Sequence, residues 1–189
     1  MSRSRVVALA FAVTVAACAT PGLPPPAQEL FDLSGRLSAS HESRAFSSGL
    51  RWQHLPGRDE IWLLTPLGQA LAHIVSTPQG ATVTGADRKQ YKGADVEALT
   101  RQALGWELPL ARLQYWVRGE PAPGTAPRDD QRDAAGRYTS FIQDDWQISV
   151  ARYPPDEHDG LPRRLELRRG GGETIRLVID AWRRDSAAP

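Results

Sequence analysis

Apolar and polar residues alternate along most of the chain, a pattern typical of β-strands that have one buried face. Near the beginning of the pattern, Phe31, Leu33 and Leu37 are separated by polar residues and a glycine. Gly and Pro residues separate the alternating segments, as expected for turns between short strands. The pattern predicts strands at residues 31–39, 46–54, 61–65, 69–75, 81–84, 89–91, 138–143, 146–153, 163–168 and 173–182.

The periodicity changes between the two groups of strands, where the chain has the features of two short helices. Asp95 can cap a helix at residues 96–104 that ends near Gly105. A second helix is predicted at residues 109–118, because proline is well tolerated in the first turn of a helix. Residues 120–132 are rich in proline, glycine and charge, and are predicted to form a loop. The apolar stripe of the second helix consists of Leu110, Leu113 and Val117.

This order of elements predicts a mainly β domain in which two short helices cover a sheet. Short connections between successive strands favour antiparallel pairing. Because one face of each strand is apolar, the helices must cover that face, and a long sheet coils as it twists. The coiled sheet and its helices would enclose an apolar space. Periodicity alone leaves open whether side chains fill that space or leave a cavity.

Residues 1–17 have the features of a secretory signal peptide. Two arginines precede an uncharged apolar stretch at residues 6–17, which is too short for a comfortable transmembrane helix. Small residues then precede Cys18, as in the signal of bacterial lipoproteins. That resemblance implies cleavage before Cys18, a diacylglyceryl group on its thiol and an acyl group on its amine. Residues 18–27, with four prolines, are the predicted tether, and residues 28–189 the single domain.

Cys18 is the only cysteine in the sequence, which excludes an intramolecular disulfide. The alternative to a lipid attachment site is an ordinary signal peptide followed by an incidental cysteine. Ala19 stands where an aspartate would resemble the signal for retention in the inner membrane. The expected location is therefore the outer membrane, on its periplasmic face.

Charge and composition exclude several classes of function. The chain has 23 Lys and Arg residues and 22 Asp and Glu residues; removing a signal peptide with two arginines leaves 21 against 22, a formal charge of −1. This balance does not predict nucleic-acid binding. The four histidines lack the spacing of metal ligands, and no nucleophile elbow, phosphate-binding loop or dinucleotide motif is present. No catalytic residue, metal ligand or cofactor is predicted.

A leucine occupies the tip of a predicted turn between two strands. Pro66 and Gly68, which flank Leu67, have the backbone preferences of turn residues. Turn tips are normally polar, so Leu67 either packs back on the domain or is presented outwards to an apolar phase.

Five segments follow one another along the chain after a lipoprotein-type signal: FDLSGRL at residues 31–37, GLRWQ at 49–53, LLTPLGQ at 63–69, LPLARLQYWVRGEP at 108–121 and IDAW at 179–182. In this order they resemble the LolB family of outer-membrane lipoprotein receptors. The resemblance extends over nearly the whole chain from Cys18. The charged loop at residues 121–132 departs from the family pattern.

The resemblance implies a strongly curved antiparallel sheet that forms an incomplete β-barrel, with a helical lid over an apolar cavity. It also implies a receptor that accepts lipidated lipoproteins from the periplasmic carrier LolA and inserts them among outer-membrane lipids. The family's membrane-inserting leucine matches Leu67. We expect a monomer that is not an enzyme.

The inward strand faces and the stripe of the second helix are the candidate lining of the acyl-chain cavity. One competing interpretation is a structural envelope lipoprotein with a filled β core and a protein partner. A lipid-processing enzyme is disfavoured because the sequence lacks a catalytic constellation. The candidate lining residues are Leu37, Leu50, Trp52, Ile61, Leu63, Leu110, Leu113, Val117, Ile148, Val150, Leu177 and Ile179.

Overall fold

A computed structural model describes residues 31–41, 44–157 and 160–183. Cys18, the predicted signal peptide and the predicted tether lie outside these residues. In the described part of the chain, no helix is long and apolar enough to cross a membrane. The elements are β1 (Phe31–His41), β2 (Arg44–Leu55), β3 (Arg58–Leu64), β4 (Ala70–Thr77), β5 (Gly80–Gly85), β6 (Gln90–Gly93), α1 (Val96–Leu104), α2 (Leu110–Trp116), β7 (Arg128–Arg132), β8 (Tyr138–Gln143), β9 (Trp146–Arg152), β10 (Pro162–Arg169) and β11 (Glu173–Arg183).

The strands form one curved sheet that does not close into a barrel. Their order is β6-β5-β4-β3-β2-β1-β11-β10-β9-β8-β7, so β6 and β7 are its two edges. Every neighbouring pair is antiparallel. The first and last strands lie side by side in the middle of the sheet. The predicted fold class, a mainly β domain with an unclosed antiparallel sheet and short helices, is confirmed.

The antiparallel register gives the sheet two ends that carry different turns. Phe31 pairs with His54, beside the turn between β2 and β3. Leu64 pairs with Gly49 and Ala70 at the other end, where residues 65–69 connect β3 to β4. We call these the Phe31 end and the Leu67 end. Phe31, the first described residue, therefore lies at the end opposite to Leu67.

One face of the sheet is buried and the other is in contact with water, as the alternation predicts. On β9, the side chains of Ile148 and Val150 are buried, whereas Gln147 and Ser149 are exposed. The buried side chains of the strands form a single cluster with those of both helices, including Leu99 of α1. The helices thus lie across the inner, concave face.

Residues at each end of α1 explain why both its boundaries were predictable. The Asp95 carboxylate accepts hydrogen bonds from the backbone N–H groups of Glu97 and Ala98, at 2.9 and 3.2 Å. Gly105 ends the helix with φ of 82°, a conformation that glycine adopts without steric cost. The second helix is shorter than its prediction, because Pro109 occupies the N-cap position and the regular helix ends at Trp116.

The prediction of a loop at residues 120–132 is wrong over its last five residues. Arg128–Arg132 forms β7, which pairs irregularly with β8. All five side chains are exposed, so the strand has no apolar alternation to reveal it. Charged side chains on an edge strand discourage pairing with other chains. The guanidinium of Arg132 lies 3.8 Å from the ring centroid of Tyr138, which joins this edge to the next strand.

Candidate functional site

All twelve candidate lining residues lie in one buried cluster between the sheet and the helices. Their exposed fractions range from 0 to 7%. Strand alternation and helix periodicity were therefore sufficient to identify the inward-facing positions. Their role as the lining of an acyl-chain cavity stays a prediction.

Large side chains occupy this interior in the conformation that the structure describes. Trp52, Trp116 and Phe141 are among its fully buried members. The packing leaves the twelve residues in contact with protein neighbours. We call the two helices and the segment that connects them the lid. An acyl chain could reach the twelve residues only if the lid moved relative to the sheet.

A buried glutamine attaches α2 to the sheet. The side-chain oxygen of Gln143 accepts hydrogen bonds from Trp116 Nε1 at 2.7 Å and from the backbone N–H of Ala122 at 2.8 Å. Its Nε2 donates to the carbonyl oxygens of Ala122 and Thr125, at 2.7 and 2.5 Å. These four bonds use the full hydrogen-bonding capacity of the amide. Sequence reasoning missed Gln143, because a glutamine at a strand end carries no distinguishing pattern.

Ion pairs attach the segment between the helices to β10, which is separated from β8 by β9 alone. Glu107 pairs with Arg101 of α1 and, at 3.8 Å, with Arg169 of β10. Arg169 also pairs with Glu173, and its guanidinium lies 4.6 Å from the centroid of the Trp146 ring. Because Arg101 and Arg169 are partly exposed, water and salt weaken this attachment in a way that does not apply to the Gln143 amide.

A half-buried carboxylate lies where the two helices meet. The side chain of Glu97 accepts a hydrogen bond from the backbone N–H of Ala111 at 3.3 Å. Burial raises the pKa of Glu97 above its ordinary value, and the neighbouring Asp95 carboxylate acts in the same direction. Glu97 thus joins the first turn of α1 to α2.

Ser48 is a polar exception on the apolar inner face. Its side chain is buried, and its hydroxyl has no hydrogen-bond partner among the described residues. It pairs across the sheet with Leu37, a candidate lining residue.

Replacing Ser48 with alanine is expected to stabilise the domain by about 1 kcal/mol, because a buried hydroxyl without a partner costs free energy on folding. The measurement is urea denaturation of both proteins. Ser47, the exposed neighbour, supplies the control variant Ser47→Ala, which should change stability by less than about 0.5 kcal/mol. A loss of stability in Ser48→Ala would contradict the expectation.

Leu67 is presented outwards. Its side chain is 88% exposed, and it is the single large apolar side chain classed as exposed in the described part of the chain. The turn that carries it is held by hydrogen bonds from Thr65 N to Gln69 O at 2.8 Å and from Gly68 N to Thr65 O at 2.9 Å. Gly68 adopts φ of 79°. The structure therefore excludes the alternative in which Leu67 packs back on the domain.

Two grooves open near the Leu67 end. One, of about 420 Å³, lies between the hairpin of β1 and β2 and the end of α1, and Phe46, Leu104 and Trp106 contribute apolar walls. The other, of about 500 Å³, adjoins the Leu67 turn on the outer face of β1 and β2. It is lined by Ser34, Gly35, Arg36, Ser47, Ser48, Gly49, Leu50, Leu64, Thr65, Pro66, Gly68 and Asp180.

Comparisons with known proteins agree on one family. A family model described as "Outer membrane lipoprotein LolB" matches residues 29–182. A protein of Chromobacterium violaceum named "Outer-membrane lipoprotein LolB" is 40% identical over 185 residues, which cover 94% of this chain and 98% of that protein. A protein of the same name from Nitrosomonas europaea is 40% identical over 158 residues, covering 82% of this chain and 74% of that protein.

A solved structure shares the fold at low sequence identity. A DUF1329 family protein from Desulfovibrio piger superimposes with a TM-score of 0.51 at 9% identity, covering 87% of this chain and 89% of that chain. At this identity the likeness concerns the fold alone.

Proposed function

This chain belongs to the LolB family of outer-membrane lipoproteins, and we propose that it accepts lipidated lipoproteins from the carrier LolA and inserts them into the outer membrane. Family membership itself gives a role in lipoprotein localisation rather than an enzymatic one. The observation that carries the proposal is that the Leu67 side chain is exposed at one end of a domain whose other large apolar side chains lie mostly in the core.

The cargo's acyl chains require an apolar cover in transit. Each methylene group exposed to water costs about 0.8 kcal/mol, so a long chain does not leave a carrier for water. The interior formed by the twelve lining residues is the apolar surface that could provide this cover. Acyl chains would replace lid contacts there, so the apolar surface stays covered while the lid moves.

The two attachments of the lid differ in their exposure to water, which sets the order in which they separate. We expect the Glu107 side to separate first, since its ion pairs are partly exposed, while the Gln143 hydrogen bonds hold α2 to β8. Separation at Glu107 would widen the groove lined by Phe46 and Trp106. That groove lies at the Leu67 end, so acyl chains would enter and leave close to the leucine that contacts the membrane.

Transfer must proceed downhill in free energy, because the sequence contains no nucleotide-binding motif. The cargo would pass from weaker binding on LolA to tighter binding here, and then to the bilayer. Covalent lipid on Cys18 would hold the protein at the membrane. Burial of one leucine contributes only about 2 kcal/mol, which is enough to orient the domain but not to anchor it.

The test is a two-stage transfer reaction with purified components. LolA loaded with an acylated lipoprotein is mixed with residues 18–189 of this protein carrying Cys18→Ser, and the location of the cargo is followed. Vesicles of outer-membrane lipids are then added. Movement of cargo to this protein and then to vesicles is the expected result, and cargo that never leaves LolA contradicts the proposal.

The filled interior favours a second candidate, a structural envelope lipoprotein whose core never opens. Binding of a fluorescent long-chain acyl probe separates the two. The receptor is expected to bind the probe and to release it when acylated cargo is added, whereas a permanently packed core binds neither. A probe that binds without competing with cargo would place the acyl site elsewhere on the domain.

A further inference from the structure

We propose that the groove beside the Leu67 turn, on the outer face of the sheet, binds a phosphoethanolamine headgroup of the bilayer that Leu67 enters. The inference rests on the proposed function of Leu67. It adds a second contact with the membrane, one that selects lipids by headgroup and does not involve the interior of the domain. Thr65, Pro66 and Gly68 belong both to the Leu67 turn and to the wall of the groove.

The position of the groove matches the depth of the headgroup layer. The polar region of a bilayer adds about 5–7 Å to each side of a hydrocarbon core of about 30 Å. When the Leu67 side chain reaches the hydrocarbon boundary, the base of its turn lies within this layer. The groove opens there, so its walls would contact headgroups rather than acyl chains.

Two opposite charges lie side by side in the groove. Arg36 Nη2 and Asp180 Oδ1 are 3.3 Å apart, on the adjacent strands β1 and β11. Their side chains are 67% and 55% exposed, so both are accessible to a ligand. The hydroxyl-bearing residues Ser34 and Ser47 line the same groove. An exposed ion pair of this kind contributes little to stability.

Two glycines contribute only backbone to the wall of the groove. A Cβ at Gly35 would lie 2.1 Å from the carbonyl oxygen of Val178, so this glycine allows β1 and β11 to approach closely beside the groove. A Cβ at Gly49 would lie 3.3 Å from the Cβ of Leu64. The resulting space, of about 500 Å³, is large enough for a polar headgroup.

The adjacent positive charge of Arg36 and negative charge of Asp180 favour a zwitterionic headgroup whose ammonium group can donate a hydrogen bond. A phosphate diester can accept from the Arg36 guanidinium, while a primary ammonium can donate to the Asp180 carboxylate. The four groups then form an alternating, neutral arrangement. A phosphoglycerol headgroup has no cation for Asp180, and the quaternary ammonium of phosphocholine has no N–H to donate.

The experiment measures binding to vesicles of defined headgroup composition. Residues 18–189 carrying Cys18→Ser are sedimented with vesicles of phosphatidylcholine alone, or with added phosphatidylethanolamine, phosphatidylglycerol or diacylglycerol. Diacylglycerol changes bilayer curvature without adding a headgroup. We expect phosphatidylethanolamine to raise the partition coefficient about fivefold over phosphatidylcholine, the gain of a charge-assisted contact that is partly removed from water.

Two variants test whether the groove causes the preference for phosphatidylethanolamine, and a third is the control. Arg36→Gln should remove it, and Asp180→Asn should shift it by about fivefold towards phosphatidylglycerol, since the remaining guanidinium then favours an anion. The control is the double variant Arg132→Gln, Asp130→Asn, which removes an exposed ion pair on the β7 edge and should leave the preference unchanged.

The possible failures are distinguishable. If diacylglycerol reproduces the preference, or if Arg36→Gln and Asp180→Asn both retain it, the headgroup site is wrong while insertion by Leu67 stands. If Leu67→Glu binds every vesicle as well as the parent protein does, the proposed insertion fails. If the parent protein binds no vesicle, both are overturned.

Discussion

Replacing Leu67 with glutamate is expected to stop the delivery of cargo into membranes without changing its acceptance from LolA. The side chain is 88% exposed, so the substitution removes no packing from the domain. A leucine gains about 2 kcal/mol on entering an apolar phase, whereas a carboxylate resists leaving water. The combined difference predicts a loss of at least about tenfold in the rate of delivery to vesicles.

The measurement is the two-stage transfer reaction, with each stage followed separately. Ala86→Glu is a matched control, because Ala86 is an exposed residue of the turn between β5 and β6, at the same end of the sheet. It adds the same charge without removing an apolar side chain, so delivery should be close to that of the parent protein. Equal losses in both variants would assign the effect to charge and not to the leucine.

The two proposed membrane contacts, a lipid on Cys18 and the side chain of Leu67, set a minimum length for the tether. Phe31 begins β1 at one end of the sheet, and Leu67 lies at the other. The twelve residues between Cys18 and Phe31 can span at most about 43 Å, while the five-residue step along β1 from Phe31 to Arg36, which lies level with Leu64, rises by about 17 Å. The predicted tether is therefore long enough for a lipid on Cys18 to reach the membrane that Leu67 is proposed to enter.

Much of the fold was predictable because local signals and tertiary packing agree. Alternation located ten of the eleven strands, since each has one face in the core, and the caps Asp95 and Gly105 fixed α1. The missed strand, β7, has five exposed side chains and is held by its backbone pairing with β8. Such pairing does not require an alternation of apolar and polar residues. Backbone pairing at a sheet edge is compatible with almost any polar sequence.

The site was predictable only where a single residue or a periodic face defines it. Leu67 is conspicuous because its turn is short and local, and the lining residues follow from strand alternation. The Gln143 contacts and the groove at Arg36 and Asp180 join segments that are distant along the chain. The last pair, 144 residues apart, becomes adjacent only because β1 and β11 pair in the centre of the sheet.

Replacing Gln143 with leucine is expected to destabilise the domain by about 3–5 kcal/mol, because leucine fills similar space but leaves buried donors and acceptors without partners. The affected groups are the indole N–H of Trp116, both backbone groups of Ala122 and the carbonyl of Thr125. Urea denaturation gives the free energy of unfolding. The matched control is Gln147→Leu, at an exposed position of the next strand, which should change it by less than about 0.5 kcal/mol.

A double-mutant cycle shows whether Gln143 acts by holding α2. Trp116→Phe removes the indole donor and keeps an aromatic ring, so its cost should shrink when Gln143 is already leucine. Strict additivity would mean that the glutamine stabilises only the segment from Ala122 to Thr125. If the costs are coupled, a lid freed at α2 should also bind the acyl probe faster, since the lid would no longer open from the Glu107 side alone. A probe that binds Gln143→Leu no faster than the parent, under conditions where both are folded, would contradict the proposed order of opening.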